Sequence, residues 1–419
     1  MLSLKKLSIF FVFIGCLSAQ SIFNAYGLGL SKSIHHTSSA GVGSIGLVPT
    51  FQPGVSFDNP ATWPGLNFAY VSGSYANRQI EIGDNGHTNY GNGFEKIQFV
   101  VPIKNRFAIG FSLKPVNDHN AYFKTDSIQI DFQGKDLTFN KEFRSGGGIM
   151  AGSFGLALPM NSRMGIGLSF DKLFGSSQDE QSLILNSIYY RLFNIKTYSG
   201  SVFNINFAGK FYESNSVMIT GYARVSMTGN PVSSTQYQFD LFEDRNNNYS
   251  FDSDDYPENV DVDTINVSNI YAPSSISFGL NATMNNDINI FGEFQLWNDQ
   301  AINDNFSSIY TDQIGSKNHI GGGVVRFGKM GARSWQDKIT MRFGIFKESY
   351  TLKNSGRKIN ENGISVGIGF KFAATGNQLD VAYRTGARSI TNDYKETIQE
   401  FTIGLSLGDV WFLRRRTKQ

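Results

Sequence analysis

The 419-residue sequence has a single cysteine, Cys16, which excludes a disulfide framework and a cysteine-rich zinc site. Only 17% of the residues are charged, and 37 Lys and Arg balance 35 Asp and Glu. This balance excludes the clustered basic charge that nucleic-acid binding requires. After the first twenty residues, no apolar run approaches the roughly 18 residues of a membrane-spanning helix. A chain with 10 prolines, 44 glycines and 36 phenylalanines, and with no helical spans, is expected to be all-β.

Residues 1–19 have the features of an export signal. A pair of lysines is followed by the apolar stretch 7–15, and small residues precede an expected cut after Ala19. The alternative is a lipoprotein signal with Cys16 as the lipidated residue, because residues 13–16 loosely resemble a lipobox. Cleavage after Ala19 would remove Cys16. Both possibilities predict that the protein leaves the cytoplasm.

Apolar residues alternate with small or polar residues in many segments. The pattern is clear at 401–408 and recurs at 107–114, 164–171 and 364–372, and a period of two residues indicates β-strands. A soluble sandwich turns its apolar face inward, whereas a transmembrane β-barrel turns it toward lipid. Sandwich strands average about five or six residues, whereas about ten cross a bilayer. Strand length and the export signal therefore favour a transmembrane antiparallel β-barrel over residues 66–412.

Connections between the alternating segments predict the number of strands. Short polar turns occur at 104–105, 161–162, 214–215, 285–287, 329–336 and 376–377, and longer polar stretches at 87–92, 117–144, 176–196, 228–269, 298–317, 351–361 and 389–395. Short turns at one end and long loops at the other are typical of outer-membrane barrels, and this alternation gives about fourteen strands. The expected strands begin near Leu66, Phe94, Arg106, Gly146, Arg163, Gly200, Val217, Ser274, Ile288, His319, Ile339, Gly363, Gln378 and Thr397.

Residues 20–65 precede the first expected strand and do not alternate. They are rich in glycine and contain Phe51, Phe57 and Trp63, an aromatic content that is high for a disordered tail. A mobile tail remains an alternative. We expect an N-terminal plug inside the barrel, because larger barrels can have a plugged lumen.

Three motifs carry a family resemblance. Residues 21–29 and 41–46 are glycine-rich, and Asn59, Pro60 and Ala61 lie just before the first strand. This order resembles the FadL-like transport superfamily, including relatives from Bacteroidetes-type bacteria. The resemblance implies a fourteen-stranded barrel in the outer membrane of a Gram-negative bacterium, which takes up hydrophobic small molecules past an N-terminal plug. Only Asn59, Pro60 and Ala61 carry over as the plug motif, and the ligand-binding residues stay unknown.

The motif and the C-terminus leave two questions open. Pro60 could simply fix a turn while Asn59 bonds local backbone. Such barrels usually end on an aromatic residue, whereas here Phe412 is followed by Leu413 and then a basic stretch. We expect residues 413–419 to form a solvated tail.

Residues 244–255 resemble a calcium-binding loop. Oxygen-bearing side chains stand at the EF-hand positions of this twelve-residue segment: Asp244, Asn246, Asn248, Ser250, Asp252 and Asp255. Ca²⁺ requires six to eight oxygen ligands at such a spacing. Tyr249 replaces the usual glycine and Asp255 the usual glutamate, and a solvated acidic loop is the alternative. The sequence predicts a Ca²⁺ site that orders the longest loop.

No catalytic motif accompanies the five histidines, so we expect no enzyme activity. The main alternative to uptake is a non-transporting barrel of a secretion or surface-attachment system, which would hold a secreted or surface protein. A general porin is a further alternative. The expected plug and an apparent scarcity of charge in the lumen argue against it.

Overall fold

The computed structural model describes residues 21–83, 87–103, 106–125, 127–132, 135–185, 187–284, 288–301, 312–329, 331–372, 375–390 and 394–410. The expected signal peptide with Cys16, Phe412 and the basic tail lie outside the described residues. So do the expected turns at 104–105 and 285–287.

Fourteen antiparallel strands form a closed barrel, as the sequence predicts. Their bounds are β1 Ala69–Ile82, β2 His87–Ile103, β3 Phe107–Pro115, β4 Lys135–Pro159, β5 Met164–Leu185, β6 Ile188–Glu213, β7 Val217–Phe239, β8 Pro273–Met284, β9 Ile288–Asp299, β10 Ile314–Arg326, β11 Ile339–Leu352, β12 Lys358–Phe372, β13 Asn377–Ile390 and β14 Tyr394–Asp409. Strand β1 pairs with β14 from Ala69 opposite Asp409 to Ile82 opposite Glu396. This pairing closes the sheet, so its backbone groups are satisfied within a bilayer.

The apolar face of the strands points outward. On β14, Phe401 and Ile403 are 48% and 44% exposed, whereas Thr402 and Ser406 between the apolar positions are buried. The same holds on β12, where Ile364 is exposed and Ser365 is buried. An apolar exterior around a closed sheet is the surface that lipid tails cover. The expected transmembrane orientation of the alternation is thereby confirmed.

Four strands extend beyond the membrane at the end of the barrel that carries the long loops. β4, β5, β6 and β7 have 25, 22, 26 and 23 residues, whereas about ten cross a bilayer. The expected loops at 176–196 and 228–269 are therefore wrong in large part, because β5, β6 and β7 continue into them. The strand Val262–Tyr271 pairs with β7 and enlarges this extension. Strands outside lipid need no apolar face. The alternation of apolar with small or polar residues, which marks the membrane portion, is therefore missing from the extension.

Helical structure is sparse among the described residues. Three short elements precede β1, namely Ile22–Ala25, Thr37–Ala40 and Pro60–Gly65, and a fourth, Gln336–Lys338, lies in the connection before β11. No described helix is long and apolar enough to cross a membrane.

Residues 21–65, here called the N-terminal segment, lie inside the ring of strands. Most of the segment is buried, and its hydrogen bonds reach strands on opposite sides of the barrel. Ser21 bonds to Glu396 on β14, whereas Ser44 bonds to Glu293 on β9. Each partner is an inward-facing side chain. The lumen is therefore occupied by the chain's own N-terminal residues.

The barrel wall is interrupted after β3. Asn117–Asp118 leave the wall and pair with Leu30–Ser31 of the N-terminal segment. The wall strand resumes at Ala121–Lys124 and Ile128–Phe132, which pair with β4. Pairing of β2 with β3 stops at Ile97. Among the described residues, the remainder of β2 toward the long-loop end pairs only with β1.

Candidate functional site

Glu293 on β9 anchors the middle of the N-terminal segment. The Ser44 hydroxyl donates to both carboxylate oxygens, at 3.0 and 2.9 Å. The backbone N–H groups of Ile45 and Val48 donate to the same carboxylate at 2.9 and 2.7 Å. Glu293 is only 3% exposed. Because a buried carboxylate requires hydrogen-bond donors, this turn of the segment satisfies a group that would otherwise be costly to bury.

Two cationic side chains of the wall also bind the segment. Lys96 on β2 lies 2.5 Å from the Asp58 carboxylate, and both side chains are buried. The Arg342 guanidinium donates to the Thr50 carbonyl oxygen at 3.0 Å and lies 2.6 Å from the Asp380 carboxylate. The strands supply both signs of charge. The segment is thus bound by side chains from separate parts of the wall.

The start of the segment joins a charged network near the long-loop end. The Ser21 hydroxyl and the Ile22 N–H both donate to Glu396, at 2.7 and 2.9 Å. Arg388 links Glu396 to Glu361, with a distance of 2.8 Å to the latter. Nearby, Arg78 bridges Glu95 and Glu400, and Lys32 of the segment lies 3.1 Å from Glu95. Alternating cations and carboxylates keep these buried charges paired.

The expected plug motif has a structural role in this arrangement. The Asn59 amide donates to the Leu47 carbonyl oxygen at 2.8 Å, and its side-chain oxygen accepts from the Ala61 N–H at 3.1 Å. Asn59 thereby caps the 3₁₀ helix Pro60–Gly65. A Cβ added at Gly167 on β5 would lie 2.5 Å from the Ala61 nitrogen and 2.6 Å from the Pro60 Cβ. The motif therefore folds the segment and packs against a glycine of the wall.

A cavity of about 170 Å³ remains beside the segment. Its lining includes Leu173, Val202, Tyr271 and Trp297, which pack together in one apolar cluster. The lining also contains charged side chains from both wall and segment, namely Lys32, Asp58, Lys96, Lys114, Asp171 and Arg224. Four of these six side chains are cations and two are carboxylates. This amphipathic lining suits a molecule with an apolar body and a polar or anionic end.

The expected scarcity of charge in the lumen is wrong. Glu293, Arg342, Asp380 and Glu361 all have buried side chains on the inner face. A sequence signal for them exists, because each stands at a polar position of an alternating strand. In 290–296, for example, Glu293 is the inward neighbour of outward-facing apolar residues. The low overall fraction of charged residues predicted an uncharged lumen, but these charged side chains lie on its inner face.

Two of the expected calcium ligands, Asp244 and Asp255, bond to the backbone of their own loop. The Asp244 carboxylate accepts from the backbone N–H groups of Asn248 and Tyr249 at 3.3 and 3.2 Å. The Asp255 carboxylate accepts from the N–H groups of Arg245 and Asp252 at 3.1 and 2.9 Å. Tyr249, which replaces the usual glycine, adopts a φ of 64°. The loop is therefore closed by its own acidic side chains.

Ligand geometry in the loop is only partly that of a cation site. Asn246 and Asn248 turn amide nitrogens toward Asp252, at 3.0 and 2.5 Å, whereas a metal requires their oxygens. Asp244 is already 2.6 Å from the Arg191 guanidinium, and Ser250 contributes only its backbone N–H to Asn248. No three Asp, Glu, His or Cys residues among those described converge as a metal site.

Hydrogen bonds also influence titration in this loop, which lies outside the membrane. The backbone N–H of Asp254 and then the Asn246 amide hold the pKa of the Asp252 carboxyl below its usual range. The carboxylate form of Asp252 is therefore favoured at neutral pH.

Comparisons with solved structures place the fold among FadL-like barrels. The chain is similar to a Pseudomonas aeruginosa FadL homologue with a TM-score of 0.55 and 12% identity, covering 90% of this chain and 98% of the other. It is also similar to the Ralstonia pickettii toluene transporter TbuX with a TM-score of 0.52 and 12% identity, covering 91% and 99%. At this identity the likeness shows the fold, which confirms the FadL-like resemblance at that level.

A family model identifies the chain more narrowly. The BamG model matches residues 3–418, so the protein belongs to the BamG family. No curated protein matches the sequence. The expected relationship to Bacteroidetes-type bacteria stays a prediction.

Proposed function

We propose that this protein is an outer-membrane barrel of a Gram-negative bacterium and that its N-terminal segment acts as a plug. The contacts of Glu293, Lys96 and Arg342 with the segment support a seated, closed state. The short turns would then face the periplasm and the long extension would face outward. A general porin is disfavoured, because the segment occupies the lumen that such a porin keeps open.

Uptake of hydrophobic small molecules is the function that the cavity supports best. The single observation that carries this proposal is the amphipathic cavity beside the plug, whose lining includes the apolar cluster of Leu173, Val202 and Trp297. TbuX, which is similar in fold, is a toluene transporter. The interruption of the wall after β3 offers a second route out of the lumen. In this account, a ligand enters the cavity and the plug shifts to open a path.

A cavity-filling substitution tests this proposal. Val202 is 7% exposed and lines the cavity, whereas Val324 is 40% exposed on the lipid-facing side. We expect Val202→Trp to abolish binding of toluene or of a long-chain fatty acid by the purified barrel, and Val324→Trp to leave it unchanged. Equal binding by both variants, or no binding by the native protein, would contradict uptake through this cavity.

A partner-holding role is the second candidate, and a different observation favours it. β4 to β7 extend far past the length that a bilayer requires. Crossing the bilayer does not require such an extension, and it gives a secreted or surface protein a large area to bind. This candidate is compatible with a lumen that never opens. Neither candidate requires a catalytic residue.

We also propose that Ca²⁺ occupies residues 244–255. Rotation of the Asn246 and Asn248 amides would bring their oxygens to the side of Asp252. Asp244, Ser250 and Asp255 complete the expected set of oxygen donors. The cation would order the extension of the barrel, and no chemical step is implied.

A further inference from the structure

A second cavity lies in the extension. Its volume is about 240 Å³, and its walls include the aromatic side chains of Phe143, Phe193 and Phe239. Asp240 and Asp263 stand at the same cavity. It therefore combines an aromatic interior with carboxylates.

The cavity exists because the pairing of two strands is interrupted. β6 pairs with β7 up to Asn194 opposite Gln238. Pairing of β6 resumes at Arg191, which lies opposite Phe242 of the strand Phe242–Asp244. The chain between Gln238 and Phe242 thus departs from β6. This departure leaves room between β6 and residues 239–241.

Asp240 and Asp263, here called the rim acids, have no cationic partner among the described residues. Asp240 and Asp263 are exposed, and neither takes part in any of the described ion pairs. A third acid of the cavity, Asp179, is already bound by His119 at 2.8 Å and Lys196 at 2.5 Å. The two rim acids are therefore available to an incoming cation.

The neighbouring chain repeats the same sign of charge. Residues 252–263 contain six acids, of which Asp254, Glu258 and Asp261 are exposed, and no Lys or Arg. Exposed apolar side chains lie beside these acids, including Leu241 at 57% and Tyr256 at 59%. Apolar side chains within a charged surround are typical of protein interfaces.

Among the described residues, the strand next to the cavity is paired along one edge only. Residues 262–266 are all exposed, and β7 is the only described strand that pairs with them. An unpaired edge offers backbone donors and acceptors to an extended segment of another protein. Asp263 lies on this strand, so a segment paired there would pass directly by the cavity.

We propose that the cavity binds a Lys or Arg side chain of a basic, extended protein segment that pairs along residues 262–266 of the strand Val262–Tyr271. The methylene stem of such a side chain would pack among Phe143, Phe193 and Phe239, and its cation would bond Asp240 and Asp263. The aromatic walls and the two acids belong to one pocket. The pocket should therefore bind this side chain more strongly than acids spread over a surface would. This inference rests on the partner-holding candidate and is independent of uptake.

A charge-neutralising variant tests the proposal on the purified full-length protein. The probe is a short synthetic peptide of alternating threonine and lysine, and a threonine–glutamate peptide is the negative control. We expect the lysine peptide to bind in a salt-dependent manner and the combined change Asp240→Asn and Asp263→Asn to weaken it about tenfold or more. The matched control combines Asp254→Asn with Glu258→Gln, which removes the same charge from exposed acids outside the cavity.

The control pair should weaken binding by less than about twofold, since it alters only long-range attraction. A gain-of-function variant guards against misfolding: Asp240→Lys with Asp263→Lys should bind the glutamate peptide. If the two double substitutions that neutralise acids weaken binding of the lysine peptide equally, the attraction is diffuse and the proposed pocket is overturned. Failure of the native protein to bind the lysine peptide would also overturn it. Neither result affects the Val202→Trp test, which concerns the lumen.

Discussion

The hydroxyl of Ser44 lies 2.9 and 3.0 Å from the two carboxylate oxygens of Glu293, across the boundary between the N-terminal segment and the barrel wall. Two backbone N–H groups of the same turn complete the arrangement. A carboxylate that accepts several hydrogen bonds while buried is a strong local anchor. This contact is thus a natural point at which to loosen the segment.

Glu293→Ala should free the middle of the segment. Ile45 and Val48 lose the acceptor for their backbone N–H groups, and hydrogen bonds to charged groups contribute about 1.5–3 kcal/mol each. We expect amide hydrogen exchange in residues 42–50 to accelerate by about tenfold or more, as measured by mass spectrometry. Glu258→Ala removes an exposed glutamate of the extension and should leave this exchange rate unchanged. Unaltered exchange in the Glu293 variant would show that the anchor is dispensable.

Gly167→Val should displace the Asn-Pro-Ala motif. The added Cβ would meet the Ala61 nitrogen at 2.5 Å, well inside contact distance. Gly292→Val is the matched control, because a Cβ there meets nothing within 4 Å. We expect faster proteolysis of residues 55–66 in the Gly167 variant alone. Similar proteolysis in both variants would mean that the close approach of Pro60 and Ala61 to the wall is not needed.

Leu280→Arg should destabilise the barrel in lipid. Leu280 is 59% exposed near the middle of β8, and an arginine facing lipid at mid-depth costs about 2–4 kcal/mol. Gln178→Arg places the same residue on the exposed surface of the extension and should change the free energy of unfolding by less than about 0.5 kcal/mol. Urea unfolding in liposomes measures both values. Equal destabilisation would contradict the assigned position of the membrane.

Removal of Ca²⁺ should loosen residues 244–255. Terbium luminescence, sensitised by Tyr249, provides a direct readout of a cation in the loop. We expect binding in the native protein, loss of binding with Asp252→Ala, and retention with Asp261→Ala, which removes an acid beyond the loop. A chelator should then increase cleavage of the loop by protease. If the native protein shows no terbium signal, residues 244–255 are only an acidic loop.

The fold is predictable from the amino-acid sequence where lipid imposes a pattern on it. Phe401, Ile403 and their counterparts face outward because only apolar side chains suit a lipid surface, so a period of two residues predicted strands and faces together. The pattern ended where lipid ends. Residues 176–182 are polar on both faces, so a strand there resembled a loop.

The lumen was less predictable for a different reason. The partners of Ser44 and Asp58 are distant in sequence, at Glu293 and Lys96, and only the closed ring of strands brings them together. The position of Glu293 within an alternating strand marked it as inward-facing, but not as a partner of the segment. Asn59 is the opposite case, since its contact with the Ala61 N–H is local and its turn-forming role could be read from the sequence.

The most direct test of the account is the ion conductance of a variant that lacks residues 20–64, compared with the full-length protein in a planar bilayer. If the N-terminal segment closes the lumen, the full-length protein should stay closed and the shortened barrel should show steady open channels. Indistinguishable conductance of the two proteins would contradict the claim that this segment is a plug.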